Sequence, residues 1–275
     1  MSTGPDFGGQ VSRYLASLTH LHSANGHNLP VCSICRGPTG VKDDAGEHWP
    51  TCLPCRQHRY TLGIDYGELA DSTGFIIYAL KYADGSRDQS LRDMHQYKIL
   101  SPSWGSRPAI SEEGQRIRTL LYVTLRDHLP RLEESAGPVD LITQVPSTST
   151  DPGRDPQALA AAIESAVKKL PGLAPYQGVL GVGQSDSGTS RSLDPGRFPV
   201  TDPDSVAGRH VLLVEDTWVT GASVQSAAVS LRRAGAARVT VLCVARMLRE
   251  EWKAGNYLTS RYAEFPPPAP HFPVF

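Results

Sequence analysis

The sequence predicts an α/β fold in which helices flank a parallel sheet, with a small metal-binding module in front of it. Two strand–turn–helix units, near 139–170 and 209–235, predict the parallel sheet, and two Cys-x2-Cys pairs near the N-terminus predict the module. A chain of 275 residues is long enough to bury an α/β core and to carry such a module.

The unit at 209–235 is the most informative part of the chain. The apolar run Val211–Val214 is typical of a strand buried on both faces of a parallel sheet. A polar turn follows and leads into an amphipathic helix, after which Gly235 stands at the expected C′ position. Because open α/β sheets bind ligands at the carboxyl ends of their strands, this turn is the candidate site.

The turn has the chemistry of a phosphate site. Backbone N–H groups at the start of a helix lack internal partners, and the helix dipole adds positive potential there. The hydroxyls of Thr217, Thr220 and Ser223 are further donors, and Gly221 lets the backbone approach an anion without a Cβ in the way. The alternative is an ordinary strand–turn–helix of some other α/β protein.

Two carboxylates, Glu215 and Asp216, precede this turn directly. They would repel a phosphate, so they need another partner. Sugar hydroxyls next to the phosphate would donate hydrogen bonds to them. The residues therefore predict a ribose 5-phosphate site.

The earlier unit predicts a second loop at the same edge of the sheet. A buried strand over 139–145 leads into the hydroxyl-rich stretch 146–154, and Asp155 and Pro156 are the expected N-cap and first residue of a helix. The alternative is a plain surface turn. If the loop binds pyrophosphate, its candidate ligands are Ser147, Thr148 and Arg154.

The remaining elements complete the sheet and its cover. Strands are expected at 74–80, at 178–183 and at 239–245, where Cys243 is a core residue, and Ser111 is expected to cap a helix that runs to about residue 128.

A long polar segment, 184–208, follows the strand expected at 178–183. Arg191 and Arg197 on it are candidates to close over a pyrophosphate, and an unstructured surface loop with solvated arginines is the equal alternative.

The two cysteine pairs predict a structural Zn²⁺ site of four thiolates, because sixteen residues separate the pairs, as in a zinc ribbon. Two disulfides or a redox-active pair are the alternatives, and His48 and His58 lie close enough in sequence to substitute as ligands. The predicted ligands are Cys32, Cys35, Cys52 and Cys55.

Composition narrows the class of protein. The net charge of −1 offers no global attraction for nucleic acid, and no apolar run is long enough to span a membrane. The N-terminus lacks the features of a signal peptide, so we expect a cytoplasmic protein.

The expected organisation is a polar lead-in (1–29), a zinc ribbon (30–60), an α/β domain with a hood (61–250) and a Pro-rich tail (251–275).

Residues 211–223 resemble the phosphoribosyl pyrophosphate (PRPP) signature of type I phosphoribosyltransferases. The resemblance implies that Glu215 and Asp216 hold the ribose hydroxyls and that Mg²⁺ accompanies the pyrophosphate. Trp218 and Val219 depart from the signature, which usually has smaller or hydroxyl-bearing residues there. By position, the 5-phosphate ligands are Thr217, Trp218, Val219, Thr220, Gly221, Ala222 and Ser223.

Over about residues 30–248 the chain resembles the ComF/GntX family, which joins a four-cysteine ribbon to a phosphoribosyltransferase domain. Besides the cysteines and the PRPP motif, the resemblance rests on Lys81-Tyr82 after an apolar strand and on Val145-Pro146. It implies a Mg²⁺-dependent transferase, with Lys81 as a further pyrophosphate ligand. The acceptor cannot be read from the sequence, and the sequence leaves open whether the chain forms a homo-oligomer.

A non-catalytic role is the alternative. The domain would then bind PRPP or a nucleotide as a signal, and the ribbon would contact nucleic acid or a protein, as the family's link to DNA uptake and competence implies.

Overall fold

The computed structural model describes residues 32–35, 39, 49–61, 68–100, 110–184, 191–249 and 251. Its centre is a four-stranded sheet in the order β1-β4-β3-β2, and every neighbouring pair is parallel. The predicted parallel α/β sheet is therefore confirmed. The strands are β1 (Ser72–Lys81), β2 (Leu141–Gln144), β3 (His210–Trp218) and β4 (Arg238–Arg249).

Six α-helices in the described residues accompany the sheet. None of the helices in the described ranges combines the length and apolarity needed to span a bilayer. The helices are α1 (Leu53–Thr61), α2 (Gln89–Gln96), α3 (Glu112–Asp127), α4 (Leu129–Ala136), α5 (Ala158–Val167) and α6 (Ala222–Arg233).

The sheet is buried on both faces, as its apolar strands predict. One face packs against α2 to α5 through residues such as Ile77, Leu121 and Ile163. The other face packs against α6 and against the four clustered cysteines, with Phe75 and Leu231 in the same core. All of these strand and helix residues are inaccessible to solvent, so the hydrophobic effect fixes both layers.

Two helix boundaries were predicted correctly from the residues at the helix ends, the N-cap of α3 and the C′ glycine of α6. The Ser111 hydroxyl accepts a hydrogen bond from the Gly114 N–H at 3.0 Å, which confirms the predicted cap of α3. Gly235 has φ +96° and donates to the Arg232 carbonyl, while Ala236 donates to the Leu231 carbonyl, so α6 ends in a Schellman motif.

The predicted start of α5, at Pro156, was wrong by two residues. The Asp155 carboxylate accepts a hydrogen bond from the Gln157 N–H at 2.8 Å and stabilises a tight turn, and the helix begins only at Ala158. A short polar side chain stabilises such a turn as readily as a helix cap, which explains the error.

The strand predicted at 178–183 was also wrong. This segment does not join the sheet; Leu180 forms an isolated antiparallel bridge with Val200, and Gly181 donates to the Pro199 carbonyl at 2.9 Å. Glycine weakens an extended strand, and the segment contains Gly178, Gly181 and Gly183.

The long polar segment is largely ordered where the structure describes it. Two short 3₁₀ helices, Pro195–Arg197 and Pro203–Ser205, lie between residues 191 and 209. Residues 185–190, the lead-in, His48 and the tail beyond residue 251 lie outside the described residues.

Candidate functional site

The acidic pair lies inside a strand rather than after it. β3 continues through Trp218, because β4 is long enough to pair with it as far as Arg246. Glu215 and Asp216 therefore have extended backbone, and the connection to α6 shrinks to Val219–Gly221.

A cavity of about 310 Å³ opens over this short connection. Its wall includes both the turn and the first residues of α6, so the peptide N–H groups at the helix start are close to it. Arg191 and Arg249 supply positive charge at its rim. The lining residues are Arg191, Glu215, Thr217, Trp218, Val219, Thr220, Gly221, Ala222, Ser223, Val224, Met247 and Arg249.

The start of α6 has the free donors that an anion needs. In the described part of the chain no side chain caps this helix, and the first helical N–H, of Ala222, has only a 3.3 Å contact with the Thr220 hydroxyl. The N-terminal end of a twelve-residue helix with uncapped N–H groups attracts a phosphate.

Gly221 has a steric reason to be glycine that the sequence did not reveal. Its φ is +85°, and a Cβ at this position would lie 2.1 Å from Cζ2 of the Trp218 indole. The indole is 1% exposed and packs edge-on against Phe75, with ring centroids 5.5 Å apart. Trp218 therefore fills the space beneath the turn and supports its backbone.

Asp216 is ionised and held by two residues that the sequence reasoning missed. Lys98 Nζ forms a salt bridge with Asp216 Oδ2, and the Tyr97 hydroxyl donates to the same oxygen at 2.9 Å. Burial by itself would raise the pKa of Asp216, but the Lys98 charge and the hydrogen bonds outweigh it and lower this pKa to about 2.

The pKa of Glu215 is shifted in the opposite direction. Burial, and then the neighbouring Asp216 charge, raise the pKa of Glu215 well above its usual range. Its Oε1 accepts from the Asp216 N–H at 3.2 Å, whereas its buried Oε2 has no partner among the described residues. The pKa values of the two acids are therefore shifted apart, an arrangement common where two acids have different roles.

The second loop is joined to the Lys98 segment by backbone hydrogen bonds. Lys98 accepts at its carbonyl from the Asp155 N–H at 2.7 Å, Ile99 forms an antiparallel bridge with Arg154, and Leu100 donates to Gly153 at 3.0 Å. These hydrogen bonds hold Arg154 next to the segment that contains Lys98, the cation that contacts Asp216.

The other predicted pyrophosphate ligands lie in three other parts of the structure: after β2, in the first 3₁₀ helix and at the end of β1. Ser147 is partly exposed and Thr148 is exposed after β2. Arg197 is 5% exposed and donates to the Ser192 carbonyl at 3.1 Å. Lys81 ends β1 and pairs in register with Arg249 of β4, so it lies on the same sheet edge.

The four predicted metal ligands form one cluster. Their Sγ atoms all lie within 4.8 Å of one another, and all four residues are buried. The Cys35 and Cys52 sulfurs are 3.5 Å apart, well beyond a disulfide bond, and all five cysteines are free. Four convergent buried thiols fit one tetrahedral ion, and His58 lies outside the cluster.

No protein-family model matches the chain, and no curated protein matches it. Among solved structures it is similar to the allosteric regulatory enzyme of purine biosynthesis, with 21% identity, a TM-score of 0.32 and coverage of 56% of this chain. The chain spans 30% of that enzyme's length.

Phosphoribosyltransferases are also among the similar solved structures. The hypoxanthine phosphoribosyl transferase of Trypanosoma cruzi is 16% identical, with a TM-score of 0.35 and coverage of 55% of this chain and 80% of that one. The adenine phosphoribosyltransferase of Leishmania donovani is 17% identical, with a TM-score of 0.33 and coverage of 62% and 72%. The resemblance to the ComF/GntX family stays a prediction.

Proposed function

We propose that the carboxyl edge of the sheet binds PRPP and that the protein is a phosphoribosyltransferase. The observation that carries this proposal is the cavity over the uncapped start of α6, which Glu215 lines, with Asp216 next to Glu215 in β3. A phosphate needs hydrogen-bond donors, a sugar needs acceptors and a second anionic group needs cations. The carboxyl edge of the sheet offers these three kinds of group in that order.

The 5-phosphate would lie over the N–H groups of Gly221 to Ser223, with Arg191 at the rim of the cavity. Because free N–H groups and the helix dipole act together there, this end favours a dianion. The hydroxyls of Thr217 and Thr220 would add donors.

The ribose hydroxyls would donate to Asp216, which is charged, and would exchange hydrogen bonds with Glu215, whose buried Oε2 still needs a partner. The pyrophosphate would then extend toward Lys98 and Arg154. Mg²⁺, which prefers oxygen ligands, would neutralise part of the pyrophosphate charge when it is bound.

Transfer would break the bond between the ribose C1 and the pyrophosphate oxygen and form a bond from C1 to an acceptor atom. The sugar becomes electron-poor in this step and the leaving group keeps the electron pair. Lys98 and Arg154 would stabilise the departing charge, and the cavity would hold the sugar in place.

The direct test is binding followed by turnover. Titration calorimetry with PRPP, ribose 5-phosphate and pyrophosphate, each with and without Mg²⁺, should give the tightest binding for PRPP with Mg²⁺. Pyrophosphate release with a panel of nitrogen acceptors then tests catalysis. Absence of PRPP binding to the folded protein would reject the proposal.

Two arginine substitutions should separate the two ends of the ligand. Arg191→Met should weaken ribose 5-phosphate and PRPP alike, whereas Arg154→Met should weaken PRPP only. Each loss should be about tenfold, the effect of one charge-assisted hydrogen bond. Lys168→Met is the control, because Lys168 is 77% exposed and pairs with Glu164 on α5, away from the cavity lining. Equal losses of both ligands in Arg154→Met would contradict the assignment.

We further propose that the cysteine cluster holds one structural Zn²⁺. Metal analysis of the purified chain should give one zinc per molecule, and removal of the ion should lower the melting temperature, because four buried thiols without a metal lose the bonds that hold the ribbon together. Cys243→Ser is the control: Cys243 is buried in β4 outside the cluster, so its substitution should leave the zinc content unchanged. A chain without stoichiometric zinc would contradict the proposal.

A PRPP sensor with a nucleic-acid-binding ribbon is the second candidate. The ribbon exposes 38% of Trp49 and 80% of Tyr60, and the Arg56 guanidinium lies 4.5 Å from the Trp49 ring centroid. Exposed aromatic rings with nearby arginines are suited to stacking on single-stranded bases. PRPP binding without turnover, together with single-stranded DNA binding that Tyr60→Ala weakens, would favour this candidate.

A further inference from the structure

Arg246 joins the cysteine cluster to the turn that lines the cavity. It is 5% exposed on β4, and its Nη1 donates to the carbonyls of Trp218 at 3.3 Å and Val219 at 3.1 Å. Its Nε donates to the Cys35 carbonyl at 3.3 Å, and its Nη2 lies 3.7 Å from Cys35 Sγ. One planar side chain therefore fixes both groups at once.

His58 forms a second connection between the same two parts. It lies on α1, the helix that carries Cys55, and its Nε2 is 2.8 Å from the Thr220 carbonyl. The imidazole is 5% exposed, so this contact is shielded from water. Three consecutive carbonyls, from Trp218 at the end of β3 to Thr220 in the connection, are thus bound by Arg246 and His58.

These contacts matter because carbonyl orientation determines N–H orientation. When the carbonyls of Val219 and Thr220 point toward Arg246 and His58, the peptide N–H groups that follow point the other way. The N–H groups of Thr220 and Gly221 belong to those same peptide planes. The contacts of Arg246 and His58 with the carbonyls on one side of the turn therefore set the direction of the N–H donors on the side that faces the cavity.

The guanidinium also needs a negative partner in its buried position. A zinc ion bound by four thiolates carries a net charge of −2, and Arg246 lies against one of those thiolates. Loss of the ion would change the charge and position of the cluster that holds Arg246 in place.

We propose that metal bound by the cysteine cluster fixes the turn at Val219–Gly221 through Arg246 and His58, so that metal occupancy controls the affinity of the cavity for a phosphate group. Arg246 and His58 are positioning residues in this arrangement. The ligand part of the proposal rests on the proposed function, whereas the coupling between ribbon and turn does not.

Hydrogen exchange of the full-length protein without ligand tests the coupling. Exchange by mass spectrometry is compared between the zinc-loaded protein and the protein after removal of zinc by a chelator. The segment from Thr217 to Ser223 should exchange faster in the zinc-free protein, while peptides from β2 and α5 should not change. Unchanged exchange in the segment would overturn the proposal.

Substitutions test the same link with the metal still bound. His58→Leu removes the partner of Thr220, whereas His58→Gln keeps a side-chain N–H donor there. In the zinc-loaded protein His58→Leu should lower the affinity for ribose 5-phosphate by roughly 5- to 150-fold, the usual range of coupling between two sites, and His58→Gln should restore most of it. Arg246→Met should act like His58→Leu. Arg233→Met is the matched control, because Arg233 is 53% exposed and pairs with Glu68.

The outcomes separate the two proposals. If the zinc-loaded wild-type protein binds neither PRPP nor ribose 5-phosphate, the proposed function is wrong and the exchange comparison still decides the coupling. If the wild type binds ribose 5-phosphate, and the zinc-free protein or the zinc-loaded His58→Leu protein binds it equally well, the coupling is wrong. If a substitution lowers the zinc content, the coupling is decided by the hydrogen-exchange comparison between the zinc-loaded and the zinc-free wild-type protein.

Discussion

Replacement of Gly221 by alanine is expected to abolish binding of both PRPP and ribose 5-phosphate and to destabilise the protein. The backbone at Gly221 has φ +85°, which costs an L-residue about 1–2 kcal/mol. The new Cβ would also lie 2.1 Å from the Trp218 ring, so the indole or the turn must move. Overpacking of this kind costs about 1–3 kcal/mol more. Urea unfolding and calorimetry measure the two effects.

Gly235→Ala is the matched control for that experiment. Gly235 also has a positive φ, of +96°, but its Cβ would only touch Ala207 at 3.5 Å, an ordinary contact distance. It lies at the opposite end of α6 from the cavity. The control should therefore lose about 1–2 kcal/mol of stability and keep its ligand affinity. Equal stability losses in the two variants, with ligand binding intact in both, would show that Trp218 does not support the turn.

The fold was largely predictable because its signals are local. Buried strands of a parallel sheet need consecutive apolar residues, and Val211–Val214 supplies them. The cap at Ser111 and the C′ glycine at Gly235 depend only on backbone groups within one turn. The cysteine spacing likewise predicted a cluster, because the chain between the pairs is short enough for four sulfurs to meet.

The interior of the site was less predictable because it depends on contacts between distant segments. Tyr97 and Lys98 follow α2, more than a hundred residues before Asp216, and no motif marks them. Only the packing of α2 against the sheet brings them to Asp216. Trp218 looked like a departure near the phosphate, whereas its indole lies in the core beneath the turn. The contacts of Arg246 and His58 with the turn were not predicted for the same reason.

Asp216→Asn is expected to lower the free energy of unfolding by about 2 kcal/mol at neutral pH and to weaken PRPP binding about tenfold or more. The stability term follows from the pKa of Asp216, which the folded protein lowers from its ordinary 3.8 to about 2. A carboxylate with a lowered pKa stabilises the fold above its unfolded-state pKa. This contribution is therefore complete above about pH 5 and is lost as the pH falls from 4 toward 2.

The substitution also acts on two neighbours. Lys98, 15% exposed, loses its carboxylate partner and becomes a partly buried, unpaired cation. Because the Asp216 charge helps to raise the pKa of Glu215, that pKa should fall in the variant. Lys98→Met should likewise destabilise the protein, and the double variant should lose less than the sum of the two single losses, since the pair acts as a unit.

Asp127→Asn is the comparison that isolates burial. Asp127 also pairs with a cation, Arg126, at 2.6 Å, but it is 43% exposed, and such surface pairs contribute less than about 1 kcal/mol. The free energy of unfolding in urea is therefore compared between the wild type and each variant from pH 7 to pH 3. The difference between the wild type and Asp216→Asn should shrink as the pH falls. The difference between the wild type and Asp127→Asn should stay small at every pH. A difference for Asp216→Asn that does not change with pH would mean that Asp216 is not held ionised by Lys98 and Tyr97, and the assignment of this carboxylate to the ribose hydroxyls would lose its electrostatic basis.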